Sequence, residues 1–509
     1  MHGPKRGGRE TEIGAGVELE IVKRFAELGY QVQPDAVDLL KRYQLEQGIG
    51  ISEIAEWVAN SLDSSSVFVI SEEHIAEVIK HQHQHQTQHR VPNQERAPAP
   101  PVIIKSFSNS ASSVQQGDFL QHFISRYEEI GGIIKRRMNC YQIRSVRNIR
   151  TRTDEDISVV GIVSSVNKTA RGNLLVDLED PSGHIPVVLS NHSEVIPDEV
   201  IGVTGTLTRS GYLFAHRLVY PDVPLHKSAS AQSSLPLASS CEGEEPGYAV
   251  FISDMHVGSQ AFREDAWDSF VDWLREAVRS RSIDIGYLIV AGDIVDGIGV
   301  YPGQESDLAI ADIEEQYKMA AHCLKRIPGS IHVVLAPGNH DAVRSAEPQP
   351  PLHEDFRRFF PPDTCFVSNP AYIKIGGRIV LIYHGQSFDD FVNSISRLNY
   401  SKPADMMVEM LRRRHIAPIY GNSVSIIPDG HDYGVINPIP DILHCGHTHT
   451  VGIARYRDVL LINSGAWQSQ TEYQKKRGIN PVVGCATLVK LSEMKTKVLD
   501  FGKDKGKEG

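Results

Sequence analysis

The chain has 509 residues, 41% hydrophobic and 23% charged, which is too long for one core and calls for two or three domains with linkers. Lys and Arg number 52 against 63 Asp and Glu, and the net charge of −11 excludes a simple electrostatic nucleic-acid binder; such contact needs a local basic patch or a partner. Six scattered cysteines (140, 241, 323, 365, 445 and 485) without a CxxC pair exclude a zinc finger or a disulfide framework and read as reduced thiols of a cytoplasmic protein.

Residues 1–13 form a polar tail without the apolar run of a signal peptide, and no later run approaches the ~20 apolar residues of a membrane span. From 14 to 80 apolar residues recur at helical spacing: Ile21, Phe25 and Leu28, then Ala36, Leu39, Leu40 and Tyr43, then Ile54, Trp57 and Val58. A small helical domain is expected there, with Asp35 and Ser52 as N-caps and a short strand at 67–70 before a helix from Glu72. It serves as a docking face or as a self-contained bundle, and the pattern fits both. Residues 81–117 read as a linker, in which HQHQHQTQHR is a solvated spacer rather than a metal site.

A second domain is expected over 118–225. It opens with a helix at 121–130. A run without acidic residues follows, carrying Lys135, Arg136, Arg137, Arg144, Arg147, Arg150 and Arg152. That run fits a nucleic-acid contact or a face pairing acidic side chains equally well. Residues 155–222 predict about five strands with turns at ARGN, PSGH and RSGY, a small Greek-key barrel of the oligonucleotide-binding (OB) class. Tyr212 and Phe214 alone offer aromatic side chains at period two, so the barrel reads as a docking module first and a nucleic-acid contact second. Residues 226–246 form another linker, and 503–509 a tail.

Between 247 and 502 apolar strands alternate with helices at 264–281 and 307–327, predicting an α/β sandwich. Five strand-like runs end on ligand-type residues. YAVFI precedes Asp254 and His256, GYLIVA precedes Asp293, and VVLA precedes Asn339 and His340. VLIY precedes His384, and ILHC precedes His447 and His449. Function in open α/β sheets gathers at the carboxyl ends of strands, so these residues are expected along one edge of a single sheet. Alternation along an extended segment would point Asp254 and His256 the same way. A carboxylate can bridge two cations about 3.5–4 Å apart, and Asp293 is the candidate; a water held between such ions loses a proton near neutral pH and attacks phosphorus in line. His with carboxylate suits manganese, iron or zinc better than calcium. A glycine-flanked Asp often only caps a strand, and a lone His is usually core or surface, but here the set is complete. His332, His353, His431 and His444 fit no ligand slot, and Trp467 reads as packing.

The fragments D-x-H, G-D-x-x-D, G-N-H-D, a strand-end His and G-H-T-H stand in the order of the calcineurin-like metallophosphoesterases, which the chain resembles. The resemblance implies a four-layer α/β/β/α phosphoesterase sandwich, preceded here by the barrel and the helical domain. It implies two divalent ions, manganese first, with iron, zinc or magnesium as alternatives. One would be held by Asp254, His256, Asp293 and His449, the other by Asp293, Asn339, His384 and His447. His340 would protonate the leaving oxygen or stabilise the transition state, making it and Asp293 the catalytic pair. Asp296 and Asp341 would orient His340 and the neighbouring ligands. Gly297 and Ile298 follow Asp296, so the Arg that clamps phosphate monoesters in the family's protein phosphatases is absent.

The longer string GDIVDGIGVYPGQ (292–304) resembles the small subunit of archaeal family D DNA polymerase, and the domain order agrees. This likeness implies a proofreading 3′→5′ exonuclease that binds a large catalytic subunit and acts on the 3′ end of a primer strand, releasing 5′-mononucleotides. It implies no membrane. Sliding-clamp contact is a further expectation, although no clamp-binding box stands in the sequence. The alternatives are an accessory subunit with an idle site, and a stand-alone nucleotide phosphodiesterase with no obvious need of the barrel or the helical module.

Overall fold

A computed structural model describes residues 21–26, 30–47, 55, 58, 69–75, 98–108, 116–138, 143–149, 156–225, 247–476 and 478–503. The chain divides into two units, 1–96 and 97–509. In the first, strand β1 (Gln31–Val32) pairs in parallel with β2 (Val69–Ile70), and helix α1 spans Pro34–Gln47. Ile21, Phe25, Ala36, Leu40 and Val58 are buried together with Ile70 and Ile75, so the helical spacing marks a real core. The expected strand precedes a helical stretch at 72–75. Asp35 lies within the first turn of α1 rather than at its cap, because Pro34, whose fixed φ suits a first helical position, opens the helix. Ser52 and the His/Gln tract lie outside the described residues.

In the second unit β3 (Val102–Ser106) falls inside the predicted linker and corrects it. It becomes the edge strand of a sheet whose other members come from beyond residue 370. Helix α2 (Gln116–Arg137) is longer than expected, and its last turn takes up Lys135, Arg136 and Arg137, where cations complement the helix dipole. Arg137 donates to Pro221 O at 2.8 Å, and Lys135 lies over the Tyr127 ring at 4.9 Å. This end of the basic run is therefore engaged within the chain. Arg150 and Arg152 lie outside the described residues.

The barrel consists of β4 (Asp156–Lys168), β5 (Leu174–Asp180), β6 (Gly183–Leu189), β7 (Val200–Leu207) and β8 (Leu213–Val219), closed in the order β4-β5-β6-β8-β7. Alternate residues such as Val176, Leu178, Val187 and Leu213 fill it. Ile130 and Ile134 of α2, with Met138 just after it, pack on its outer wall against Val160, Val200 and Val219.

Two six-stranded sheets follow. The first runs β12 (Cys365–Phe366), β11 (His332–Ala336), β10 (Ile285–Ala291), β9 (Tyr248–Ile252), β18 (Cys485–Lys490), β19 (Lys495–Asp500). The second runs β16 (Gly452–Tyr456), β17 (Val459–Asn463), β15 (Ile442–Cys445), β14 (Arg378–Ile382), β13 (Ala371–Ile375), β3. Helices α3 (Glu264–Ser280) and α4 (Ile313–Lys325) share a core with the first sheet through Trp267, Phe270, Tyr317 and Leu288. After the short α5 (Glu354–Arg357), α6 (Phe388–Ser394) and α7 (Pro403–Arg413) pack on the second sheet through Phe388, Met407 and Leu443. Phe251, Ile289, Ile382 and Ile462 join the two sheets face to face. Helix α4 begins at 313 instead of 307 because Asp312 caps it, accepting from Glu315 N at 3.0 Å.

The barrel is fastened to the sandwich by buried charge. Arg126 of α2, fully buried, donates to Asp432 Oδ2 at 2.5 Å, Pro418 O at 2.6 Å and Asp198 O at 2.9 Å. Arg413 of α7 meets Glu199 Oε2 at 2.6 Å and also pairs with Glu409.

Candidate metal centre

Strands β9, β10 and β11 run parallel in the first sheet, and β14 runs parallel to β15 in the second. Asp254 and His256 follow β9, Asp293 follows β10, Asn339 and His340 follow β11, His384 follows β14, and His447 and His449 follow β15. The expected single sheet is thus corrected: both sheets deliver their carboxyl ends to one place. The reason for the Asp254–His256 pairing is corrected as well. Neither residue is extended; φ is +52° at Asp254 and +51° at His256, with +50° at Asp293, +68° at His447 and +55° at His449. Left-handed turns at residues that disfavour them aim these side chains inward.

One group gathers around His256. Its Nε2 lies 3.0 Å from His449 Nε2, 3.6 Å from Asp293 Oδ2 and 3.9 Å from Asp254 Oδ1, while His449 Nε2 lies 3.4 Å from Asp254 Oδ1. A second group gathers around His384. Its Nε2 lies 2.9 Å from Asn339 Oδ1 and 3.2 Å from Asp293 Oδ2, and Asn339 Oδ1 is 3.1 Å from His447 Nδ1. Asp293 Oδ2 belongs to both groups. Its Oδ1 accepts from His340 N at 2.9 Å, and Gly338 allows the approach, since a Cβ there would fall 2.2 Å from Oδ1.

The donor chemistry fits cations. His384 Nδ1 donates to Ala291 O at 2.9 Å, which leaves Nε2 as a lone pair facing two oxygens. Three acceptors this close repel one another unless a proton or a metal ion lies among them. Burial opposes a charged His384, yet Asp293 and Asp254 outweigh it and raise the imidazole to about 10. Burial would likewise raise Asp293, but His384 and His340 hold it well below the usual carboxylate range. His256 Nδ1 faces Asp296 Oδ1 at 3.1 Å, so its Nε2 also presents a lone pair inward. Asp254, His256, Asp293 and His384 are all buried.

Asp296 does what was expected of it and more, for its carbonyl accepts from His340 Nδ1 at 2.7 Å. Asp341 does not hold His340, which corrects that part of the expectation. It collects backbone N–H groups, from Gly338 at 2.8 Å and Ile294 at 3.2 Å, together with the Tyr317 hydroxyl at 3.1 Å, and so ties the Asp293 loop to the Asn339 loop. Burial, with Asp293 nearby, pushes its carboxyl up to about 6.

Three glutamines escaped sequence reading. Gln304 and Gln468 donate to the Asp296 carboxylate at 3.2 and 2.9 Å, and Gln474, on α8 (Glu472–Lys476), lies 2.8 Å from His449 Nδ1. Only Gln304 stands within a recognisable motif. The histidines set aside stay outside the site: His332 bonds Pro98 O, His353 caps α5, His431 meets Lys105 and His444 meets Ser464. Trp467 is buried in the core. No helix among the described residues is long and apolar enough to cross a membrane.

Residues 249–451 match the DNA polymerase alpha/epsilon B-subunit family. The DNA polymerase II small subunit of Archaeoglobus fulgidus is 40% identical over 91% of this chain and 94% of its own. That of Methanothermobacter thermautotrophicus is 37% identical over 79% and 82%, and that of Pyrococcus horikoshii 38% identical over 79% and 66%. The solved structure of a novel archaeal phosphodiesterase overlaps 50% of this chain and 98% of its own at 12% identity, with a TM-score of 0.26, too loose a likeness to argue from. The fold and site define a two-sheet sandwich, preceded by a closed five-stranded barrel, whose strand ends bring His and Asp residues together as candidate metal ligands. At 40% identity across nearly the whole Archaeoglobus protein, the chain belongs to the DNA polymerase II small subunit family.

Proposed function

We propose that the chain is the metal-dependent 3′→5′ exonuclease of a replicative DNA polymerase and works in complex with a large polymerase subunit. The observation that carries this reading is the meeting of two donor groups at Asp293 Oδ2, 3.6 Å from His256 Nε2 and 3.2 Å from His384 Nε2. Asp254, His256, Asp293 and His449 would hold one divalent ion; Asp293, Asn339, His384 and His447 would hold the other. Manganese suits such nitrogen and oxygen donors, with iron, zinc and magnesium as alternatives. Bound there, such ions would supply a nucleophile at neutral pH and neutralise charge on the phosphate.

The chain's own residues do the rest. Asp296 fixes the rings of His256 and His340 through its carboxylate and its carbonyl. His340, only half-buried and packed edge-on against His256 at 4.6 Å between ring centroids, hands a proton to the departing 3′-oxygen. Left-handed residues at five donor positions cost roughly 1–3 kcal/mol each, a strain that a purely structural role has no use for. The names of the relatives support a polymerase partner.

A 3′-mismatched primer incubated with manganese tests the reading. Wild type should shorten the primer and release 5′-mononucleotides, and His340→Ala should be slower by ~10²–10⁴-fold. Equal rates for the two proteins contradict it. If wild type stays inactive even in complex with its large subunit, the accessory-subunit reading takes over.

A further inference from the structure

Apolar side chains left in water point to one more contact of this site. Among the described residues from 247 onward, the exposed large apolar residues are Ile298, Val300, Met319, Val482 and Val498. Three of them stand on segments fastened to the metal centre. Val482 N donates to His449 O at 2.7 Å. Gly297, just before Ile298, presses on the backbone of His340: its φ is +75°, and a Cβ there would lie 2.2 Å from His340 O. Residues 297–304 therefore form a strap laid against the proposed general acid.

The strap is held rigidly. Gln316 accepts from Gly297 N at 2.9 Å and donates to Gly297 O at 3.1 Å. Gln304 accepts from Val300 N at 2.9 Å and donates to Asp296 O at 2.8 Å. The Tyr301 hydroxyl donates to Asp307 at 3.0 Å, and its ring lies 6.4 Å from that of His340. On this fixed strap Ile298 is 47% and Val300 36% exposed. Two branched apolar side chains thus stand exposed, side by side on a fixed loop next to the polar centre.

We propose that Ile298 and Val300 receive the face of the nucleobase on the 3′-terminal nucleotide, so that the site grips its substrate by the base as well as by the phosphate. The proposal rests on the exonuclease reading. Phosphodiester oxygens suit the polar donors, whereas a base offers a flat, largely apolar face that gains by leaving water. A paired and stacked base hides that face; a frayed or mismatched one presents it at less cost.

The full-length chain, with manganese and its large subunit, should be given two single-stranded oligonucleotides that differ only in the terminal 3′ residue, thymidine or an abasic sugar. Wild type is expected to remove the base-bearing residue ~10-fold faster, a gain of the size that taking one face of a base out of water supplies. In Ile298→Ser/Val300→Ser that ratio should fall to about one, the loss falling on the base-bearing end. Val300→Thr, which keeps the side-chain shape, should give an intermediate ratio and guards against a serine variant that fails to fold. Equal wild-type rates on the two ends, or a ratio untouched by the substitutions, overturn the proposal. A wild type that cuts neither end refutes the exonuclease reading, and this inference with it.

Discussion

Asp296 holds two histidines at once, His256 Nδ1 through a carboxylate oxygen at 3.1 Å and His340 Nδ1 through its carbonyl at 2.7 Å. A carboxylate behind an imidazole fixes its tautomer and raises its basicity as a ligand. Asp296→Asn should therefore weaken manganese binding by ~10–100-fold in calorimetric titration; an unchanged affinity would show that His256 is oriented by something else. The pairing was legible because Asp296 stands in the G-D-x-x-D fragment. For Asp341 only the His340 half of the expectation fails, because adjacency in G-N-H-D says nothing about direction: the turn after Asn339 sends its carboxylate to backbone N–H groups of the loops that carry Asn339 and Asp293. Gln468 and Gln474 were illegible, since a neutral amide belongs to no motif until the fold brings it to Asp296 or His449.

Helix α2 acts as a latch, and its key residue is Arg126. Its three acceptors come from the barrel side and from the sandwich, so removing it leaves Asp432 buried with weaker partners. Arg126→Ala should destabilise the protein by about 3–5 kcal/mol in denaturant unfolding, and a loss under about 1 kcal/mol would contradict the latch. The same cluster sets a pH response. Asp432 faces Arg126, His122 and His415. Burial lowers the His415 imidazole to about 4, against the pull of Asp432. Between about 6.5 and 4 the unfolded chain takes up this proton and the folded one does not, so stability is full above that window and falls on acidification through it. His122, also lowered by burial, acts in the same direction. Between pH 6.5 and 4, His415→Gln should lose up to roughly 3 kcal/mol less stability than wild type in parallel denaturant titrations; an identical change in the two proteins would rule His415 out as a source of the pH response. Strand β3 could not be read in advance. Five residues after a proline-rich stretch carry too little pattern, and the strand pairs with β13, far along the chain.

For the whole molecule, the ends of five strands were legible in the sequence because buried strands are continuous apolar runs and each stops on a polar residue. That those strands belong to two sheets was not, because period and composition say which residues are buried but not which strands pair. The closure of five strands into a barrel followed from alternation and turn spacing, whereas its fastening to the sandwich depends on Arg126 and Arg413, which look like surface charges in a sequence. The account turns on two cations sharing Asp293. Anomalous diffraction from crystals grown with manganese tests it most directly. Two peaks about 3.5–4 Å apart, flanking Asp293 Oδ2 and both lost in Asp293→Ala, are the predicted result. A single peak, or a pair that survives that substitution, would contradict it.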